Sequence, residues 1–503
     1  MLSEKCLNTV FNKWKHYIKK DIQQKNIPRA IKSLSILSDL KFRFRSEYYD
    51  QDIENFIGTL SNQIFPTPSN YSAKENHVVM TDSSAWDYHA LSIHYTRALM
   101  SMGLNILYVI IPTVMTKPDL ILRELKEYGK AQIYIFGQNG KDILEQIVDL
   151  HHTIVSFQPA NIFTHSFSVI DAIVLKALHV PVKYQISFAD IDYWCSTSSS
   201  DYLIEFYNWG ATLSCKYRGV PKDKILMQPY YPIELSAPFC GLPVVDENKV
   251  VIFSGGTSNK IKDQESTFFK LVLRLLDENP LAVVFYADRD NAPFIKEFIE
   301  KNKLQSRFFL IGYRSDLKSV FERIDIYLDT YPVGGGLMVQ YAAVNRRPVL
   351  NLKSPATLLD YFEYDDNGIR YCSEYENIDD LCREAKILIE NESHRKNVGS
   401  ILEKKIISET EFNHAISRII TDKKTDYNFT EISFDYESFR KNLHKQLFDK
   451  RQIRSLVGNL YSHYSYKYLI KFPYILVFYG TFLKILKKIE ELTSPKTVRN
   501  KLK

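Results

Sequence analysis

Residues 324–350, IDIYLDTYPVGGGLMVQYAAVNRRPVL, constrain this chain more than any other stretch. A strand-like run, Ile326, Tyr327 and Leu328, is followed by a Tyr331-Pro332 turn and then by Gly334, Gly335 and Gly336. An apolar pattern at helical spacing continues to Val344, and a second strand begins after Pro348. Strand, glycine turn, helix and strand make a βαβ unit. Glycines at that junction let the backbone approach a ligand closely, and the free N–H groups at the helix start favour an anion such as a phosphate. Three glycines alone serve a tight turn between packed elements equally well, so the rest of the chain has to decide between the two uses.

At 503 residues the chain exceeds one ordinary core, which predicts two domains plus appendages. A net charge of +6, from 65 basic and 59 acidic residues, suits anionic ligands or an anionic membrane surface but is too small to argue for nucleic acid. Six cysteines, at 6, 195, 215, 240, 372 and 382, show no CxxC pair and no metal-ligand spacing, which predicts reduced thiols. The first twenty residues hold no apolar core followed by a cleavage site, so the expected location is the cytoplasm.

Residues 1–72 read as a helical N-terminal cap, with apolar residues at helical spacing around Ala30–Leu37 and Ile53–Leu60, closed by a Pro66, Pro68, Ser69, Asn70 linker. From 77 to 243 strands alternate with helices: HVVMTD, LNILYVII, AQIYIFG, TIVSFQP and VKYQIS are the strand-like runs, and ANIFTH leads into a helix through Ala177. A second alternating domain spans 248–420, opening on NKVVIFSGG and continuing through AVVFYA and RFFLIGY to the glycine unit. Such alternation predicts parallel, doubly wound sheets, hence two Rossmann-like domains facing a cleft at the carboxyl ends of their strands. Residues 421–503 read as a polar strap and a basic, aromatic tail. Between Lys471 and Lys484 lie 12 uncharged residues, too few to span a bilayer. The tail fits an interfacial contact with a membrane, and equally packing on the body or against another copy in a homo-oligomer.

The first strand of the second domain ends in SGGTSNKIK, which sets Gly255 and Gly256 at a strand end with Lys260 close behind. A lysine there is a usual point charge for a diphosphate. Arg314, in IGYR after another strand, reaches the same sheet edge and can add charge neutralisation. Neither GxxxxGK[ST] nor GxGxxG occurs in this arrangement, which weakens P-loop and dinucleotide readings.

Together, SGG…NKIK, RFFLIGYRSDL and DIYLDTYPVGGGLMVQYAAVNRRPVL resemble the donor-binding domain of bacterial GT-B glycosyltransferases of surface-polysaccharide synthesis, and more distantly the protein O-linked N-acetylglucosamine transferases. YQISFADIDYWCS, SDYLIEFYNWGA and QPYYPI extend the resemblance into the first domain, so that it covers about 77–420. It implies an α/β GT-B fold and a nucleotide-sugar donor, with UDP as the expected nucleotide, held without metal or other cofactor. Lys260 and the backbone of Gly335, Gly336, Leu337 and Met338 would hold the diphosphate; the acceptor would be a glycan or lipid-linked glycan at the inner face of the plasma membrane.

The chain departs from that pattern in two places. Many GT-B enzymes carry a carboxylate on the helix after the glycine turn to hold the ribose, where this helix offers Gln340 and Tyr341. Related bacterial enzymes tend to read Asp-His where this chain has Asp190-Ile191. For a general base the candidates are therefore Asp190, then His165 in FTHSF, then Asp82 after the first strand, although turn-capping or buried structural roles suit each of them too. An epimerase of the same architecture and a non-catalytic scaffold in polysaccharide assembly are the rival functions.

Overall fold

The computed structural model describes residues 4–437, apart from 45–47, 188–198, 234–236, 289–290, 355–373 and positions 68, 84, 86, 88–89, 114–115, 139, 141 and 434. Three helices lead: α1 (Glu4–Gln23), α2 (Ile27–Phe44) and α3 (Gln51–Ile64). The first alternating region then runs β1 (Lys74–Asp82), α4 (Ala90–Ser101), β2 (Asn105–Ile110), α5 (Asp119–Tyr128), β3 (Ala131–Ile135), α6 (Ile143–Phe157), β4 (Pro159–His165), α7 (Val169–Ala177), β5 (Val182–Ile186), β6 (Tyr202–Glu205), α8 (Asn208–Tyr217) and β7 (Ile225–Met227). The second runs β8 (Val250–Gly256), α9 (Thr267–Glu278), β9 (Ala282–Asp288), α10 (Pro293–Lys301), β10 (Phe308–Leu310), α11 (Leu317–Phe321), β11 (Ile326–Leu328), α12 (Gly336–Val344), β12 (Val349–Leu352) and β13 (Glu374–Tyr375). Helices α13 (Ile378–Glu390), α14 (Glu392–Glu403) and α15 (Glu409–Asp422) follow.

Both sheets are parallel and doubly wound. The first has the order β3-β2-β1-β4-β5-β6-β7 and the second β10-β9-β8-β11-β12-β13. In each, the strand order reverses beside the first strand, between β1 and β4 and between β8 and β11, and the crevice at the carboxyl ends of such a pair is where open α/β sheets bind ligands.

Helices cover both faces of the first sheet, so its strands read as continuous apolar runs. Val78, Met80, Tyr108 and Phe163 enter one core, while Val79, Leu107, Val109 and Ile162 enter the other, as the two-residue period of a strand dictates. That second core also holds Phe11, Trp14, Ile18, Leu34, Ile57 and Leu60 from α1–α3. The N-terminal helices therefore pack as one layer on the first sheet. Asp50 ties them together: its side chain caps α3 through the N–H groups of Asp52 and Ile53 and takes ion pairs from Lys41 at 2.9 Å and Lys15 at 2.8 Å. Burial works against that carboxylate, but the two lysines hold its pKa below the ordinary range.

Helix α15 crosses back from the second region to pack on α4 of the first. Phe412 meets Tyr95 edge-to-face at 5.3 Å, and the Tyr184 hydroxyl donates to the Ile419 carbonyl at 2.9 Å. The chain then continues in extended form, with Tyr427 bridging Met227 of edge strand β7. The backbone N–H groups of Thr430 and Ile432 donate to the side chains of Asn208 and Thr212 on α8. A polar strap thus covers one sheet edge that would otherwise present unpaired backbone groups.

One strand expectation fails. TIVSFQP is not a strand; its first residues complete α6, which buries Ile147, Leu150, Ile154 and Phe157 at helical spacing.

Candidate functional site

The second sheet's switch point is built from the ends of β8 and β11. Gly255 lies so close to β9 that a Cβ there would sit 2.7 Å from the Ala287 Cβ and 3.0 Å from its carbonyl oxygen. At Gly256 a Cβ would come within 3.2 Å of the Lys260 side chain. The chain then turns through a 3₁₀ segment, Ser258–Ile261, that brings Lys260 back over the sheet end. Its Nζ donates to the Gly334 carbonyl at 3.1 Å, and its own carbonyl accepts from the Val333 N–H at 3.2 Å. The lysine and the glycine turn are thereby a single folded unit.

Asp329, just past β11, organises that turn. Its Oδ1 accepts from the N–H groups of Gly335 and Thr330, each at 2.9 Å, and from the Tyr327 hydroxyl at 3.0 Å. Oδ2 is buried without a hydrogen-bond partner. A Cβ on Gly335 would lie 3.3 Å from both Asp329 Oδ1 and the Tyr327 hydroxyl, so the close approach requires glycine. Burial raises the Asp329 pKa above the ordinary carboxylate value, opposed by the Gly335 N–H and the charge of Lys260. Burial likewise lowers the Lys260 pKa, opposed by the charge of Asp329. The two form a counter-charged couple at the base of the crevice.

Above it stands the N-terminus of α12. Gly335 caps the helix without any side-chain bond, and the N–H groups of Gly336, Leu337 and Met338 carry no hydrogen bond among the described residues. Open N–H groups, a positive helix end and a lysine make an anion cradle. The structure brings together Gly255, Gly256, Lys260, Gly335, Gly336, Leu337 and Met338 at one sheet end, and Asp329, which no local motif marks, holds the glycine turn in place.

Two expected members are engaged elsewhere. Arg314 grips Asp316 through Nε at 2.8 Å and Nη2 at 2.6 Å, donates to the Gly241 carbonyl, and lies 5.7 Å from the Phe239 ring centroid. Asp316 in turn accepts the Cys240 N–H at 2.8 Å. Arg314 thus clamps the segment between the two sheets. It follows β10, two strands away from β8, and does not touch Lys260.

Tyr341 is buried, and its hydroxyl donates to the Ile233 carbonyl, while Gln340 Nε2 donates to the Tyr230 carbonyl at 3.2 Å. These two side chains fasten α12 to the segment leaving the first sheet instead of facing a donor. Tyr341→Phe would leave the buried Ile233 carbonyl unpartnered and should cost about 1–3 kcal/mol of stability in a urea titration, with nucleotide affinity unchanged in calorimetry. A tenfold loss of affinity would instead place the hydroxyl at the ligand.

The first sheet's switch point joins two residues that the sequence offered separately. Asp82 and His165 are register partners at the ends of β1 and β4. Asp82 Oδ1 lies 3.3 Å from His165 Nδ1 and accepts the Ala85 N–H at 2.8 Å, while Oδ2 accepts the Tyr108 hydroxyl at 2.8 Å. Ser92 Oγ lies 3.3 Å from the same imidazole nitrogen. Burial opposes ionisation of Asp82, but His165, Ser92 and the Ala85 N–H together hold its pKa well below the carboxylate range. Both side chains are fully buried in this conformation, so neither meets an acceptor directly. Asp190 falls within 188–198, outside the described residues, four positions past the end of β5. Among the described residues no group of three His, Cys, Asp or Glu side chains converges as metal ligands do.

No family model matches the sequence, and no curated protein does. Solved structures do. HepE of Anabaena, in complex with UDP and glucose, aligns over 69% of this chain and 99% of its own, at 12% identity and a TM-score of 0.50. The lipopolysaccharide outer core galactosyltransferase WaaB, in its apo form, aligns over the same shares at 12% identity and a TM-score of 0.50. Identities this low speak to the fold alone: with its paired doubly wound sheets, the chain has the GT-B fold.

Proposed function

We propose that this protein is a glycosyltransferase that moves a sugar from a nucleotide-sugar, with UDP as the nucleotide, to a glycan or lipid-linked glycan in surface-polysaccharide synthesis. The observation that carries this reading is the open N-terminus of α12 set against Lys260 at the second switch point. A nucleoside diphosphate is the ligand such a cradle suits, and HepE, of the same fold, is a structure solved with UDP and glucose. As the bond between sugar and diphosphate breaks, negative charge grows on the departing UDP. The N–H groups of Gly336, Leu337 and Met338 and the Lys260 ammonium then bind it more strongly than they bound the intact donor, and that difference lowers the barrier. On this reading no metal is required.

The acceptor hydroxyl would approach from the first sheet, whose switch point carries Asp82 and His165. Asp190, on the segment after β5, remains the leading base for an inverting reaction. The buried Asp82–His165 pair suits a supporting role, shaping that sheet end. Ribose contacts are open on α12, since Gln340 and Tyr341 are used between the sheets.

The test is calorimetric titration with UDP, followed by incubation with a panel of UDP-sugars. Micromolar affinity for UDP and slow donor hydrolysis are expected. No affinity for UDP or any UDP-sugar would overturn the reading, and conversion of the donor to its epimer without acceptor would favour the epimerase.

A further inference from the structure

On one face of the first sheet the apolar pattern breaks. Tyr184, Ile186 and Ile204 point into the core shared with α4. By the two-residue period of a strand, Gln185, Ser187, Leu203 and Glu205 point the other way, and all four are buried. Gln185 and Leu203 are register partners on β5 and β6, so three polar side chains and one leucine share a patch that faces away from that core. Polar groups held inside the packing of a sheet call for polar partners.

Beside this patch, at the amino ends of β6 and β7, lies a cavity of about 240 Å³. Gln185, Leu203 and Arg218 are its buried lining, while Asp201, Gly219 and Pro221 stand exposed at its mouth. Tyr49, from the connector between α2 and α3, and Tyr202, the first residue of β6, add two rings. Asp82 and His165 close β1 and β4 at the opposite, carboxyl edge of the same parallel sheet, so the cavity is separate from both switch points. Its volume exceeds what a single water needs and falls short of a drug-sized pocket, which limits an occupant to a compact molecule.

Two cations set the charge of this cavity. Arg218, directly after α8, is only 4% exposed. Its guanidinium lies 5.3 Å from the Tyr48 ring centroid, and Nη1 donates at 2.8 Å to the Ser214 hydroxyl, which itself donates to Glu205 Oε1. A guanidinium anchored in this way is a rigid fork for a phosphate or a carboxylate. Lys224 supplies the second charge. Its Nζ lies 4.8 Å from the Tyr202 ring centroid, and whereas Lys222 pairs with Glu431 at 2.6 Å, Lys224 has no carboxylate partner among the described residues. Two carboxylates are close by. Asp201, at the mouth, accepts the Lys183 N–H through Oδ2 at 2.8 Å. Glu205 sits behind Arg218, 4.0 Å from Nη1, where burial raises its pKa and weakens it as a counter-charge. Ser200 Oγ, also on the lining, is buried with no hydrogen-bond partner among the described residues.

We propose that this cavity binds a compact phosphate monoester. An arginine fork and a separate lysine match a dianion better than a single carboxylate, the Ser200 hydroxyl is a further donor for a phosphate oxygen, and Tyr49 and Tyr202 offer ring faces to the carbon skeleton of the ester. The assignment rests on the cavity and its side chains and does not depend on the glycosyl-transfer reading.

The experiment is calorimetric titration of the full chain with glycerol 3-phosphate and a hexose 6-phosphate, repeated with UDP in saturating amount so that the cradle at α12 is filled. At least one ester should bind with UDP present or absent, the uncharged glycerol and hexose should not bind, and inorganic phosphate should bind several-fold more weakly than the ester because it leaves the rings uncovered. Lys224→Gln, at a half-buried position where the fold is safe, should weaken ester binding by roughly tenfold with UDP affinity unchanged. Arg218→Lys, which keeps the charge and loses the fork, should weaken it by a similar factor of roughly ten. Ester binding that persists in a chain without affinity for UDP would uphold the site while overturning the glycosyl-transfer reading. Displacement of the ester by UDP would put it in the cradle and overturn the separate site. So would ester binding that both variants leave unchanged, an uncharged hexose bound as tightly as its phosphate, or no binding of either ester.

Discussion

Lys260→Ala is expected to lower the rate of sugar transfer by about 10²–10³-fold, the loss typical when one preorganised group facing a developing anion is removed, and to weaken UDP binding by roughly tenfold to a hundredfold. The argument starts from the 3₁₀ turn that carries Lys260 back across the end of β8, so that its Nζ sits against the Gly334 carbonyl instead of in bulk water. Burial there lowers the pKa of the ammonium. A cation already stripped of part of its hydration gains more from a diphosphate than an exposed lysine does. Stability should also fall, because the change removes the charge that opposes the effect of burial on the Asp329 carboxylate and leaves that group without its counter-charge. Circular dichroism would verify the fold, calorimetry the UDP affinity, and product formation the rate. If the variant bound UDP within twofold of the parent, the cradle would have to be sought elsewhere.

How much of this was legible in the residues depends on range. The βαβ unit around Gly334–Gly336 was readable because strand, turn and helix are each encoded within a few residues, and Lys260 because a glycine pair at a strand end has few other uses. Arg314 is less legible for a different reason: reaching the carboxyl edge of a sheet does not say whether a guanidinium faces the crevice, and Asp316, two residues on, pairs with it. Tyr341 likewise lies on the helix behind the cradle, but the residue that decides its role is Ile233, 108 positions earlier. No local pattern announces such a contact. The short strands β6 and β7 went unread because three or four residues leave no period to detect, and the end of α6 was mistaken for a strand because Ile154, Val155 and Phe157 have strand-like side chains whatever their conformation. The pairing of Asp82 with His165 follows from strand register, which only the assembled sheet reveals.

Asp329→Asn is expected to move the pH dependence of UDP binding while leaving the fold intact. An Asn at 329 can still present an oxygen to the N–H groups of Gly335 and Thr330 and to the Tyr327 hydroxyl, so the turn keeps its acceptor. What disappears is the charge that opposes the effect of burial on Lys260. Burial favours the neutral amine and Asp329 favours the ammonium, so removing the carboxylate lowers the Lys260 pKa further. UDP needs the ammonium: affinity is full below the Lys260 pKa and is lost as pH rises through it. The alkaline edge of UDP binding should therefore shift to lower pH in Asp329→Asn and vanish in Lys260→Ala, which has no ammonium to lose. Asp329→Ala separates charge from geometry. It leaves three buried donors without their acceptor, at about 1–3 kcal/mol each, so a loss of at least about 3 kcal/mol of stability should accompany collapse of the cradle and of UDP binding at every pH. Calorimetric titrations across the alkaline range, paired with urea unfolding, would check both variants. An alkaline edge at the same pH in Asp329→Asn and parent would mean that the carboxylate acts only as a structural acceptor for the glycine turn and not as the counter-charge of Lys260.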